Sequence, residues 1–295
     1  MMNNFRIAVV QPLREKDEDV KKALEYFHEA VNQRAMMICF PEGYPGPWSG
    51  GGGVHSSISQ KSIEYTSLEE YPAVKAFTRE ARDHNVYVTL GLTEREGNNY
   101  YNSYLLIGPD GKVIGKHRKT TPAAFERLRD GQIVSKGNEL NVFKTEYANI
   151  GLLICWEALF PELSRILALK GAEIMVYPTG GKLYELMETW RTVIWARAIE
   201  NLSYVAFCVN LFGKEKGMAM IAGPEEILAE TDKEGVITAD LDLDRLRWLR
   251  ETEESMDIPK KYKCVPGLFR YRRPELYKLL SERQSLHMEN KEEEA

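Results

Sequence analysis

Two successive stretches of this chain run through the same order of patterns: strand, helix, strand, helix, strand, hairpin. That repetition narrows the possible folds more than any other feature. In the first stretch FRIAVVQP reads as a buried strand and DVKKALEYFHEAVNQRA as an amphipathic helix. AMMICFPEG follows as a strand ending at a proline, AVKAFTREARDHN as a helix and VYVTLGLTE as a strand. NSYLLIGPDGKVIGKH then reads as a hairpin turning at Pro109-Asp110-Gly111. The second stretch offers NIGLLICWE, FPELSRILALKGA, AEIMVYPTGG, TWRTVIWARAIENL and SYVAFCVNLFG in the same order. It closes with GMAMIAGPEEILAE, a hairpin turning at Pro224-Glu225-Glu226.

Apolar strands such as LLIC and IMVY need cover on both faces, and no linker rich in Pro, Gly or Ser separates the two stretches. The prediction is an α/β fold, a four-layer α-β-β-α sandwich built from two pseudo-symmetric halves with the helices outside. Residues 1–280 form one domain in this reading. They include a packing tail that runs from Lys260 through Tyr271-Arg272-Arg273-Pro274 to Leu280. Residues 281–295 are charged and expected to fray.

Composition supports a globular chain: of its 295 residues, 43% are hydrophobic and 28% charged. The net charge is −5 and the basic residues are scattered, which leaves no electrostatic footprint for nucleic acid. The N-terminal apolar run, Ile7 to Val10, closes at Gln11 and Pro12 without a basic flank, so no signal peptide is expected. No stretch has the length of a membrane span. Cys39, Cys155, Cys208 and Cys264 lie far apart with no CxxC pairing, and three of them sit in or beside apolar runs, which points to a reducing cytoplasm.

Ligands of open α/β sheets bind beyond the carboxyl ends of the strands, and here those ends carry chemistry. One strand ends at Phe40-Pro41-Glu42-Gly43, the first hairpin at Lys116-His117-Arg118-Lys119, and a third strand at Ile154-Cys155-Trp156-Glu157. A carboxylate, an amine and a thiol therefore converge on one rim. A cysteine at a strand-to-helix junction is presented to a pocket, beside backbone N–H groups that can bind an oxyanion. Its thiol needs a base or a cation to react; Glu42 is the candidate base and Lys119 the candidate cation.

These motifs resemble those of the nitrilase (carbon–nitrogen hydrolase) superfamily. The matching residues are Phe40-Pro41-Glu42, Arg118-Lys119-Thr120-Thr121-Pro122, Cys155-Trp156-Glu157 with Phe160-Pro161-Glu162, and Arg197-Ala198-Ile199-Glu200-Asn201. They fall in order between about residue 5 and about residue 280. The resemblance implies the α-β-β-α sandwich with a Glu-Lys-Cys triad of Glu42, Lys119 and Cys155. It also implies a second glutamate, Glu126 in Ala124-Phe125-Glu126-Arg127, orienting Lys119 and the substrate amine. The same segment also fits an amphipathic turn with a solvated face. The second hairpin departs from the pattern, reading Gly217-Met218-Ala219 where relatives commonly carry Gly-x-Ser.

The expected reaction is hydrolysis of an amide or N-carbamoyl carbon–nitrogen bond through a cysteine thioester, with no metal or organic cofactor. Phe160-Pro161-Glu162 and Arg272-Arg273-Pro274-Glu275-Leu276-Tyr277 resemble amidases and N-carbamoyl hydrolases. Cys155-Trp156-Glu157 and the Lys119 to Arg127 motif also resemble nitrilases, although the chain ends without the longer extension typical of those enzymes. A nitrile therefore stays open as substrate, and a catalytically silent scaffold of the same fold is the alternative of another class. Tyr44, Trp48, Trp156, Thr179 and Tyr184 are the pocket candidates, and each equally fits a packing role. Glu157 fits a local salt bridge. The expected partners are the small-molecule substrate and further copies of the chain, as a homodimer or larger assembly; neither nucleic acid nor membrane is expected. The glycine run Gly50 to Gly53 lacks the Gly-Lys-Ser/Thr of a phosphate loop, and the five histidines show no spacing of the HExxH kind.

Overall fold

Successive side chains of a strand point to opposite faces, and here that alternation sorts the apolar residues into three layers. The computed structural model describes residues 4–15, 18–48, 65–123, 126, 134–181, 186–213, 216–253 and 263–282. Strand β1 (Asn4–Gln11) sends Phe5, Ile7 and Val9 to one face and Ala8 and Val10 to the other. The first set packs between the sheets against Ile150 and Leu152 of β7 (Asn149–Leu152) and Ile174 and Val176 of β8 (Ile174–Thr179). The second set packs on Phe27 and Ala30 of α1 (Val20–Asn32) and Val74, Phe77 and Ala81 of α2 (Pro72–His84). In the second half Met175 and Tyr177 face outward, against Leu167 of α3 (Pro161–Leu169) and Trp190, Ile194 and Ala198 of α4 (Met187–Asn201). Helix, sheet, sheet, helix is the predicted order of layers and the observed one.

The remaining strands are β2 (Met37–Cys39), β3 (Tyr87–Glu96), β4 (Asn99–Ile107), β5 (Val113–Arg118), β6 (Val142–Lys144), β9 (Tyr204–Val209), β10 (Ala219–Ala222), β11 (Ile227–Thr231) and β12 (Gly235–Asp242). The first sheet has the order β12-β1-β2-β3-β4-β5 and the second β11-β10-β9-β8-β7-β6. In each, three parallel strands lead into an antiparallel hairpin. The repeated sequence pattern is thus a repeated sheet.

The edges carry what the repeat did not announce. After β11 the chain crosses to the first sheet, where β12 pairs antiparallel with all eight residues of β1. The short β6 pairs with β7 in the equivalent place of the second sheet. The first sheet is therefore complete only with a strand from the end of the second half. After β12 comes α5 (Leu243–Glu251), whose Leu249 packs with Leu202 and the buried Cys264. Further on, Tyr271, Leu276, Leu279 and Leu280 are exposed. The charged stretch after residue 282 and the glycine run at 50–53 lie outside the described residues. Among the described residues no helix is long and apolar enough to cross a membrane.

Candidate active site

The turn after β2 brings Glu42 to the rim, and several close contacts hold it there. Gly43 has φ +61°, the left-handed region that favours glycine. A side chain at Gly91 would lie 2.2 Å from the Gly43 nitrogen, so the turn can rest on β3 only because position 91 is bare. Asn210 Nδ2 donates to the Glu42 carbonyl at 2.9 Å, and Arg14 donates to the carbonyls of Gly43 and Gly46 at 2.9 and 3.1 Å.

Lys119 follows β5 and takes its direction from that strand's alternation. Lys116 and Arg118 turn outward to Glu94, while His117 and Lys119 turn inward and are buried. The Lys119 backbone is gripped on both sides, its N–H donating to the Asn102 carbonyl and its carbonyl accepting from Gly137. Its ammonium donates to Glu42 Oε1 at 2.9 Å and to Glu126 Oε1 at 2.5 Å. Asn102 Nδ2 completes the ring, donating to Glu42 Oε1 at 2.7 Å and to Glu126 Oε2 at 2.9 Å. The relative exposures of Glu42, Lys119 and Glu126 are 3%, 2% and 1%, so this is an enclosed charge cluster, not a solvated face.

Cys155 is half-buried. Its φ is +56°, rare for a residue with a side chain, and it opens a single 3₁₀ turn, Cys155–Leu159, ahead of α3. A left-handed conformation of this kind costs on the order of 1–2 kcal/mol, so the surrounding structure must hold it. Much of that hold comes from Glu157. Its carboxylate accepts from the backbone N–H of Ile154 at 2.7 Å, from the N–H and hydroxyl of Thr120 at 2.7 and 2.5 Å, and pairs with His117 Nε2 at 2.8 Å. One wholly buried side chain thus ties the cysteine turn to the strand end that presents Lys119.

The charges act on one another. Burial works against the Lys119 ammonium, but Glu42, Cys155 and Glu126 outweigh it and raise its pKa above the usual lysine value. Burial and then the Glu42 carboxylate push the Cys155 thiol up to about 12, against the opposite pull of Lys119 and of Thr179, whose hydroxyl donates to Sγ at 3.1 Å. A thiolate would add a second net negative charge to a cluster that already holds two carboxylates and one ammonium. The resting thiol therefore keeps its proton at neutral pH.

The pocket candidates divide. Thr179 contacts the sulfur directly. Trp48 stacks on Phe212 with centroids 5.7 Å apart. Gly180 must be bare because a side chain there would meet both the Trp48 ring at 2.5 Å and Glu42 Oε2 at 3.0 Å. Trp156 adjoins the cysteine but donates its indole N–H to the Thr121 carbonyl and packs edge-on to Phe160. Tyr44 turns away, buried with Phe40 and Phe77 in the layer between the first sheet and its helices; it is packing, not pocket. Tyr184 and Arg127 lie outside the described residues. Asn102 and the clamp made by Glu157 carry no spacing signal that sequence reasoning could use.

Glu157→Gln is expected to destabilise the fold by about 3–5 kcal/mol and to lower kcat. The replacement amide has to turn its NH₂ toward a backbone N–H, a hydroxyl or an imidazole that now donates to a carboxylate. Burial tends to raise the Glu157 pKa, but His117, Thr120 and the Ile154 N–H outweigh it, so the folded value lies below the usual carboxylate range. The stability this contributes is fully present above the unfolded value and is lost as pH falls through the folded one. Urea titrations at pH 7 and pH 4 check this: the variant's deficit should shrink in acid, and an equal midpoint at pH 7 would contradict the clamp.

Two sandwiched sheets thus carry a lysine held between two glutamates, with a cysteine whose thiol is acted on by all three charges. A family model described as carbon-nitrogen hydrolase matches residues 6–251, and the chain belongs to that family, within the nitrilase superfamily. It is accordingly a carbon–nitrogen hydrolase. Among its relatives, a citrullinase of Francisella tularensis subsp. tularensis is 32% identical over 289 residues, covering 94% of this chain and 98% of the relative. The omega-amidase NIT2-B of Xenopus laevis is 28% identical over 266 residues, covering 85% and 93%. In fold, the crystal structure of a carbon-nitrogen hydrolase from Helicobacter pylori G27 superposes with a TM-score of 0.77 at 23% identity, covering 96% of this chain and 99% of that one.

Proposed function

We propose that the chain hydrolyses an amide or N-carbamoyl carbon–nitrogen bond, with Cys155 as nucleophile, Glu42 as general base and acid, Lys119 as oxyanion stabiliser and Glu126 orienting Lys119. The observation that carries this reading is the enclosed hydrogen-bonded ring of Glu42, Lys119, Glu126 and Asn102, whose charges act on the Cys155 thiol. A protonated resting thiol sets the order of events. Glu42 takes the proton as Sγ attacks the carbonyl carbon, so no free thiolate has to accumulate beside two carboxylates. Lys119 and the Trp156 backbone N–H meet the developing oxyanion. Glu42 returns the proton to the departing nitrogen, releasing ammonia or an amine and leaving a thioester from an amide or a thiocarbamate from an N-carbamoyl amine. Glu42 then removes a proton from water as it attacks that intermediate and passes it to the departing sulfur, releasing a carboxylic acid, or a carbamic acid that breaks down to ammonia and carbon dioxide, and restoring the free thiol.

The relatives support the choice of bond. One is named for an amide, and the other for citrulline, whose terminal ureido group is an N-carbamoyl amine. Thr179 and Trp48 are the pocket residues best supported by contact with the sulfur and with the Glu42 side of the site. The full set of residues 1–280 acts as one unit in this reading, since β12 completes the sheet that carries Glu42.

The test is ammonia release from a panel of nitriles, primary amides and N-carbamoyl compounds, with amine release followed in parallel. Turnover of amides or N-carbamoyl compounds with nitriles inert is the expected result. Turnover of nitriles alone would replace this reading with that of a nitrilase, and a protein inert to every compound would favour a catalytically silent scaffold.

A further inference from the structure

A second cluster of reactive side chains lies at the far end of the first sheet. Crossover helices run antiparallel to the strands they connect, so the ends of α1 and α2 lie over the amino ends of β2 and β3, away from the rim that carries Glu42. There His28 of α1 meets Glu80 and His84 of α2, the last two one helical turn apart on the same face. His28 Nε2 is 3.1 Å and His84 Nε2 is 3.5 Å from the same oxygen, Glu80 Oε2. All three offer ligand atoms within 4.8 Å of one another.

A zinc ion bound at about 2.0–2.2 Å by tetrahedrally placed nitrogen and oxygen ligands sets those ligands about 3.3–3.5 Å apart. Two of the three separations already approach that spacing. Neighbouring groups fix the ligands: Arg79 donates to the other Glu80 oxygen at 3.1 Å, which leaves Oε2 turned to the histidines. Phe27 packs edge-on against both imidazoles, with centroids 5.4 and 5.5 Å away. A simple imidazole–carboxylate hydrogen bond needs one histidine, whereas here two converge on one oxygen. Both histidines are exposed, so an ion can enter and water can fill a fourth position.

We propose that His28, Glu80 and His84 form a surface site for a divalent late first-row metal, zinc above all, that staples α1 to α2. It is structural, since the triad lies at the other end of the sheet. HExxH-type spacing misses it because the ligands come from two helices.

The test is calorimetric titration of Zn²⁺ into untagged, chelator-treated full chain carrying Cys155→Ala, which removes the half-buried active-site thiol as a competitor. One equivalent should bind, and Zn²⁺ should raise the Tm. His28→Ala and His84→Ala should each weaken binding by more than about tenfold and abolish the Tm rise. Both positions are exposed, so the variants keep the fold, and Glu80→Gln supplies an independent third. In the parent, Co²⁺ should give the visible absorption of a tetrahedral site. Absence of binding, or equal binding by parent and variants, would overturn the proposal.

Discussion

Cys155→Ala is expected to bring turnover down to background, a loss on the order of 10⁶ in kcat, because loss of the nucleophile removes the covalent route altogether. The fold should survive. Alanine fits within the volume of the cysteine side chain, and the half-buried residue gives up a hydrogen bond from the Thr179 hydroxyl. Backbone conformation adds a finer expectation. With φ at +56° the position favours glycine, so Cys155→Gly should be more stable than Cys155→Ala by about 1 kcal/mol. Steady-state kinetics and thermal melts of the two variants check both points. Retained hydrolysis in either purified variant would remove the sulfur from the mechanism.

Lys119→Met should have the next largest effect, and here activity and stability fall together. The replacement keeps the length of the side chain and removes the charge between Glu42 and Glu126, both buried and both bonded to the ammonium. Leaving two enclosed carboxylates without their cation costs about 3–5 kcal/mol. Loss of an oxyanion donor lowers kcat by at least about 10²–10³-fold. The double variant Lys119→Met/Glu126→Gln separates the two effects, because neutralising the second carboxylate relieves repulsion but restores no donor. It should regain part of the stability and none of the activity. Recovery of turnover in the double variant would contradict the role given to Lys119.

The layered fold was legible because each core strand has its own apolar run and each hairpin its own turn residues, as at Pro109-Asp110-Gly111 and Pro224-Glu225-Glu226. Strand β12 is hard to read because Thr238 and Asp240, which bond to Gln33 and Arg6, interrupt its apolar alternation, and β6 because three residues carry no period. At the site, Glu42, Lys119 and Cys155 stand at the ends of strands, where position in the fold turns into position in space. Thr179, the last residue of β8, shares that position, whereas Asn102 lies within β4 and its importance rests on the neighbours it meets. Tyr44 follows a strand end as Glu42 does, yet the left-handed turn at Gly43 and the tight contact with Gly91 swing it to the helix side. Aromatic character marks a residue as buried, not which side of the sheet it is buried on.

A covalent acyl-enzyme at Cys155 is the central intermediate of this mechanism. Wild-type protein mixed with an amide it turns over, quenched in acid within its first turnovers and digested, should yield the peptide bearing Cys155 heavier by the acyl group less one hydrogen. Hydroxylamine added before the quench should remove that mass and release the hydroxamate. An active enzyme that shows no adduct on Cys155 under single-turnover conditions, or an adduct on another side chain, would contradict the mechanism at its centre.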